Sequence, residues 1–139
     1  MGEDVPRYRG PTCLLPSYLA WLAEPYGETG KRREGLALVG EGLDAAAAFG
    51  THYWTAKLYR LRGELTDAET DAQSSFLEAL AIARRQRAKS FELRAATSLN
   101  RLRVHQGKRP EARALLAEVY AWFTEGSDTP DLKEARALL

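Results

Sequence analysis

Arginines at helical spacing are the residues of this 139-residue chain best placed to do chemistry. Arg60 and Glu64 stand four apart, and Arg94, Thr97 and Arg101 follow one another at three and four, spacings that bring side chains onto one face of a helix. Lys57 lies one turn before Arg60. A guanidinium presents a planar fork of donors, so several in one groove would clamp carboxylates or phosphates. Two blander uses stand beside that one. Arg60 and Arg101 can pair with Glu64 and Glu92 to tie adjacent helices together, or the cations can simply face water.

Covalent and metal chemistry find less support. Gly30-Lys31 superficially suggests a phosphate loop, but Pro25 takes the first glycine position and Arg32 the place of the required Ser/Thr. His52 and His105 have no second His or Cys at ligand spacing, so no zinc site is expected. Asp67, Glu69 and Asp71 crowd a turn without calcium-loop spacing. Ser74, Ser75 and Ser98 have no identifiable His-plus-acid arrangement. Cys13 is alone, cannot form an internal disulfide, and reads as a small hydrophobe. The expectation is no catalytic residue, no metal and no cofactor.

Charge and hydropathy narrow the partners. Formal net charge is +1, so no global field draws the chain to nucleic acid or to an anionic membrane. The basic run Arg84-Arg85-Gln86-Arg87-Ala88-Lys89 carries no interleaved aromatics for stacking bases and suits a helix C-terminus, where the dipole favours cations. No apolar run approaches the roughly 20 residues that cross a bilayer. The opening MGEDVPRYRG has no apolar core of a secretory signal. A cytoplasmic protein is expected, with neither nucleic acid nor membrane as partner.

The elements that must hold these arginines are helices. Ala, Leu, Arg and Glu dominate, β-branched residues are few, and charged residues make up 28%. From Phe76 to Gly126 the chain is nearly unbroken helix-forming sequence, interrupted by a glycine-containing breaker at 105–108. Turn signals at 27–30, 66–71 and 106–110 separate three candidate helix pairs. In each second helix a small residue, a large apolar one and another small or branched one recur: Gly35/Val39/Gly42, Ala72/Phe76/Ala79 and Ala112/Leu116/Val119. The leading positions 35, 72 and 112 stand 37 and 40 residues apart, longer than the tetratricopeptide period of about 34. First-helix signals agree: Leu22-Ala23, Leu61 with Gly63, and Leu99-Asn100.

The fold expectation is all-α: an α-solenoid of about three degenerate tetratricopeptide helix pairs with a C-terminal capping helix. Residues 1–13 read as a flexible tail and 14–139 as the repeat domain. Helices are expected near 15–28, 32–48, 53–66, 69–88, 90–105, 110–124 and 130–139. Ser90 would cap the fifth, and Thr129-Pro130 would start the last. In such an array the first helix of each pair lines a concave groove. That assigns Ser17 and Glu24, then Lys57, Arg60 and Glu64, then Arg94, Thr97 and Arg101 to the binding face.

Three places depart from an ideal array. Pro25 falls inside the first helix, and Gly35, Gly40 and Gly42 weaken the second, each by about 1 kcal/mol against alanine. Either the first pair is decayed, or Gly40 and Gly42 admit a close neighbour. Trp122-Phe123 is expected to be core, packed under the last helix. Leu132, Ala135, Leu138 and Leu139 line one face of that helix, which suggests a homodimer or a longer array.

The segments YRLRGEL (59–65), ARRQRAKSFELRAATSLNRL (83–102) and YAWFTEGSDTPDLKEA (120–135) resemble the C-terminal tetratricopeptide region of large bacterial signalling ATPases. Members of that family often carry an N-terminal adenylate/guanylate cyclase or a DNA-binding regulator domain. Matching positions include Tyr59, Gly63, Glu64, Lys89, Ser90, Arg94, Arg101, Trp122, Phe123 and Leu132. The likeness covers roughly residues 17–139. Ser127 stands where the family tends to have Phe, Asn100 where it tends to have Ala, and Pro25, Gly35 and Gly42 where Ala is usual. The cyclase and ATPase domains are not in this chain, so their chemistry is not carried over. The resemblance implies a noncatalytic interaction module, the scaffold or sensor tail of a signalling system, binding a protein or peptide partner. The alternative is a sensor of a small anion or nucleotide in a basic groove.

Overall fold

Helical periodicity is realised almost where the sequence puts it. The computed structural model describes residues 19–21, 23, 25, 31–50, 52–123 and 129–139. The expected tail at 1–13 with Cys13, the groove residues Ser17 and Glu24, the turn at 27–30 and Ser127 all lie outside the described residues. Leu19, Ala20, Trp21, Ala23 and Pro25 are helical. Six further helices follow: α1 (Arg32–Phe49), α2 (Thr55–Leu65), α3 (Glu69–Arg85), α4 (Lys89–His105), α5 (Arg109–Ala121) and α6 (Pro130–Leu138). No described residue is in a strand. Among the described residues no helix is long and apolar enough to cross a membrane.

Short turns fold each helix back onto the one before, and every consecutive pair from α1 to α6 is in contact. The packing is also one-sided. α2 touches α4 and α4 touches α6, whereas α1, α3 and α5 do not touch one another. Two layers result: α2, α4 and α6 side by side, with α1, α3 and α5 behind them. All nine residues of the three small–large–small triplets are buried, which is why the alternation recurs in the sequence. The core runs through the array as linked clusters. Leu58 and Leu61 meet Ala20, Ala23 and Val39 at one end, and Leu93, Leu116, Val119, Leu132 and Ala135 pack together at the other.

The turns after α3 and α4 share one hydrogen-bond pattern, the Schellman closure of a helix end. After α4, the Gly107 N–H donates to the Val104 carbonyl (3.0 Å) and Lys108 to Arg103 (2.8 Å). After α3, the Arg87 N–H donates to the Arg84 carbonyl (3.1 Å) and Ala88 to Ala83 (2.9 Å). The pivot has φ 80° at Gly107 and φ 55° at Arg87, the left-handed region that suits glycine. Helix α3 therefore stops at Arg85 rather than near 88. Arg87→Gly is expected to raise stability by about 1 kcal/mol in chemical denaturation.

Capping corrects one expectation and bears out another. Ser90 is not the cap of α4, because the helix already begins at Lys89 after Ala88, with no side-chain cap. Thr129 does cap α6: its hydroxyl oxygen accepts from the Leu132 N–H at 3.3 Å, and Pro130 follows at the first helical position.

The three weak points resolve individually. Gly42 is a close-approach site, since a Cβ there would lie 2.9 Å from a Leu58 methyl and 3.5 Å from Leu19 Cβ. Gly40 is not, because nothing described lies within 4 Å of the position its Cβ would take. Gly40→Ala should therefore stabilise the protein by about 1 kcal/mol, the helix-propensity difference alone, seen as a higher Tm. Trp122 is not core. It is 58% exposed just past the end of α5, with the Lys89 ammonium 5.1 Å from its ring centroid, and only Phe123 packs partly against the core. The apolar face of α6 is used within the chain: Leu132 and Ala135 are buried against the α4–α5 core, and Leu138 and Leu139 pack on its margin.

Candidate functional site

Five of the six predicted site residues gather in one cleft on the α2–α4–α6 layer. Arg60 and Glu64 of α2, Arg94, Thr97, Ser98 and Arg101 of α4, and Asp131 and Glu134 of α6 line a cavity of about 400 Å³. The one-sided packing of alternate helices makes this possible. Residues four apart on α2 face residues seven apart on α4 without an intervening helix.

Every guanidinium in the cleft already holds a carboxylate. The Arg60 Nη1–H donates to Glu64 Oε1 at 2.9 Å, one turn along the same helix. That oxygen also accepts from the Ser98 hydroxyl at 2.9 Å, which bridges α2 to α4. The Arg94 Nε–H donates to Asp131 Oδ2 at 2.8 Å, and Arg101 pairs with Glu134. Because 94 with 131 and 101 with 134 rise together, α4 and α6 run in the same direction. Three cations face three carboxylates, so the lining is charge-balanced among the described residues rather than basic.

Two expected placements need correction. Arg101 does not pair with Glu92. Glu92 is buried on another side of α4, accepting from Arg84 Nε and Lys89 Nζ, each at 3.1 Å. Residues 92 and 101 are nine apart, about 900° at 100° per residue, which puts them on opposite faces of the helix. Lys57 does not line the cleft either. It is buried near the start of α2, its ammonium 6.0 Å from the Trp54 ring centroid. Thr97 lines the cleft, but its hydroxyl donates to the Leu93 carbonyl at 2.8 Å.

Ser98, Asp131 and Glu134 were absent from the sequence-based site. A signal for the two acids existed. Thr129-Pro130 sets the register of α6, and once Leu132 and Ala135 face the core, Asp131 and Glu134 must share the flank. Ser98 had a signal as well, since it stands four after Arg94 and three before Arg101, on the same helix face.

The cleft contains no arrangement for covalent catalysis. Of its two hydroxyls, Ser98 contacts a carboxylate and Thr97 a main-chain carbonyl, neither a histidine, and among the described residues no group of three His, Cys, Asp or Glu side chains is placed to hold a metal ion. What the arrangement can do is exchange hydrogen bonds. Half-exposed ion pairs are worth about 0.2–1 kcal/mol each, so an incoming segment can open them at small cost. The exception is Arg60, whose side chain is 10% exposed and is fixed in place. No family model, no curated protein and no solved structure matches the chain.

Proposed function

We propose that this chain is a noncatalytic helical-repeat module of the tetratricopeptide type, a solenoid that binds an extended protein or peptide segment along its α2–α4–α6 face. The observation that carries this reading is the cleft itself: three helices of one layer present alternating guanidiniums and carboxylates around a shared cavity. The two-layer packing supports the solenoid, since stacked helix pairs bring alternate helices into contact. Charge balance supports a peptide over a free anion. A segment with both signs can trade partners with each pair, whereas an anion must strip a carboxylate from every arginine it engages. The resemblance of residues 59–65, 83–102 and 120–135 supports a role as the scaffold or sensor tail of a signalling ATPase or cyclase system.

A peptide-display selection against the wild-type protein, with counter-selection against an Arg60→Met/Arg94→Met/Arg101→Met variant of equal helicity, tests the reading. Enriched peptides carrying both acidic and basic residues, lost on the variant, are the expected result. Peptides that bind both proteins equally would move the interface off this cleft. Enrichment of purely acidic peptides would restore the anion-binding alternative.

A further inference from the structure

The last turns of α4 and α6 and residues 109–117 of α5 line a second cleft of about 590 Å³, which holds none of the pairs above. Its chemistry differs from theirs in three respects. Asn100 lines it and is 1% exposed, yet neither its side-chain Nδ2 nor its Oδ1 has a hydrogen-bond partner among the described residues. Buried amides are normally satisfied, so an orphaned donor and an orphaned acceptor on one side chain call for a partner with the complementary pair. Arg109 and Arg113 also line the cleft, and no acidic side chain does. Arg109 has no ion-pair or hydrogen-bond partner among the described residues. Arg113 closes with Nε (2.6 Å) and Nη2 on the main-chain oxygen of Leu139, which marks where an acceptor sits at the cleft. The remaining walls are apolar, including Val104, Ala117 and Leu138.

A concave, largely apolar site with a few convergent polar groups is the usual form of a small-molecule pocket. We propose that this cleft binds a small carboxylate that carries an amide and an aliphatic body, with Asn100 pairing the amide and Arg109 and Arg113 holding the carboxylate. The guanidinium fork suits a carboxylate, the asparagine suits an amide edge, and Val104, Ala117 and Leu138 suit hydrocarbon. The inference is independent of the peptide-binding reading, because it shares no residue with the first cleft.

The test is a titration of the full chain with N-acetyl-leucine, followed by calorimetry and by the Asn100 side-chain NH₂ resonance, identified by its loss in Asn100→Ala. Comparison ligands are N-acetyl-leucine amide, which lacks the carboxylate, and acetate, which lacks the body and the amide. Saturable binding by wild type with a shift of that resonance is expected. Asn100→Ala and Arg109→Met should each weaken it by about tenfold or more, as should amidation of the probe. Asn100→Ala should bind worse while melting at a higher temperature, the opposite of what a damaged fold would do. Absence of saturable binding, wild-type affinity in Asn100→Ala, or equal binding of the amide or of acetate would overturn the assignment.

Discussion

Gly63→Ala is expected to destabilise the protein by about 2 kcal/mol, although alanine is the better helix former. Gly63 sits inside α2, where propensity alone would favour alanine by about 1 kcal/mol. A Cβ there would stand 2.5 Å from Cε1, 2.6 Å from Cδ1 and 3.0 Å from Cζ of Phe76. Real carbon atoms do not approach so closely, and the ring cannot swing aside. It is 5% exposed and packed with Ala72 and Leu99. Overpacking of this kind costs about 1–3 kcal/mol, and contact with three ring carbons places the site at or above the upper end. The net is a fall in Tm of roughly 6–8 °C for a domain of this size. Gly63→Ala/Phe76→Leu should recover more than half of the loss, because leucine vacates the volume of the ring edge. A single variant that melts higher than wild type would show that α2 and α3 have room to separate. Gly40→Ala is the matched control, the same substitution with the opposite expected sign.

Reversing the cleft arginines is expected to loosen α6 rather than to report on binding. In Arg60→Glu/Arg94→Glu/Arg101→Glu, each new carboxylate faces an existing one: Glu64, Asp131 and Glu134. Each lost pair is worth about 0.2–1 kcal/mol and each repulsion costs a similar amount, so the six contributions sum to roughly 1–6 kcal/mol. Most of it falls on α6. That nine-residue helix is held to α4 by Leu132, Ala135 and two of the three pairs. Circular dichroism melts should show the loss at about 0.1 M salt and a partial recovery near 1 M, where the screening length falls to about 3 Å. Insensitivity to salt would mean that the pairs contribute nothing to holding α6. The methionine triple variant keeps the aliphatic packing and introduces no repulsion, which is why it serves as the probe of binding.

Much of the site was legible because arginines and glutamates at spacings of three and four must share a helix face wherever that helix lies. Arg60 with Glu64, and Arg94 with Thr97 and Arg101, therefore reached one cleft as a local pattern predicts. Lys57 fits the same spacing but sits a turn nearer the start of α2, beside Trp54 and beyond the cleft's end. The register within a helix was readable; how far along the helix the cleft extends was not.

By itself the sequence determined the helices, most of their ends and the buried triplets, because apolar periodicity and turn chemistry act over a few residues. The third dimension decided who meets whom. It gave Arg101 to Glu134 instead of Glu92, separated the close-packed Gly42 and Gly63 from the open Gly40, turned Trp122 outward, and left the Asn100 amide unpaired. Each of these depends on how one helix is rotated and slid against another some 35 residues away, as with Asp131 against Arg94. A single residue turns a helix face by about 100°, so a one-residue change of packing register replaces every partner across the interface while leaving the sequence pattern of both helices intact.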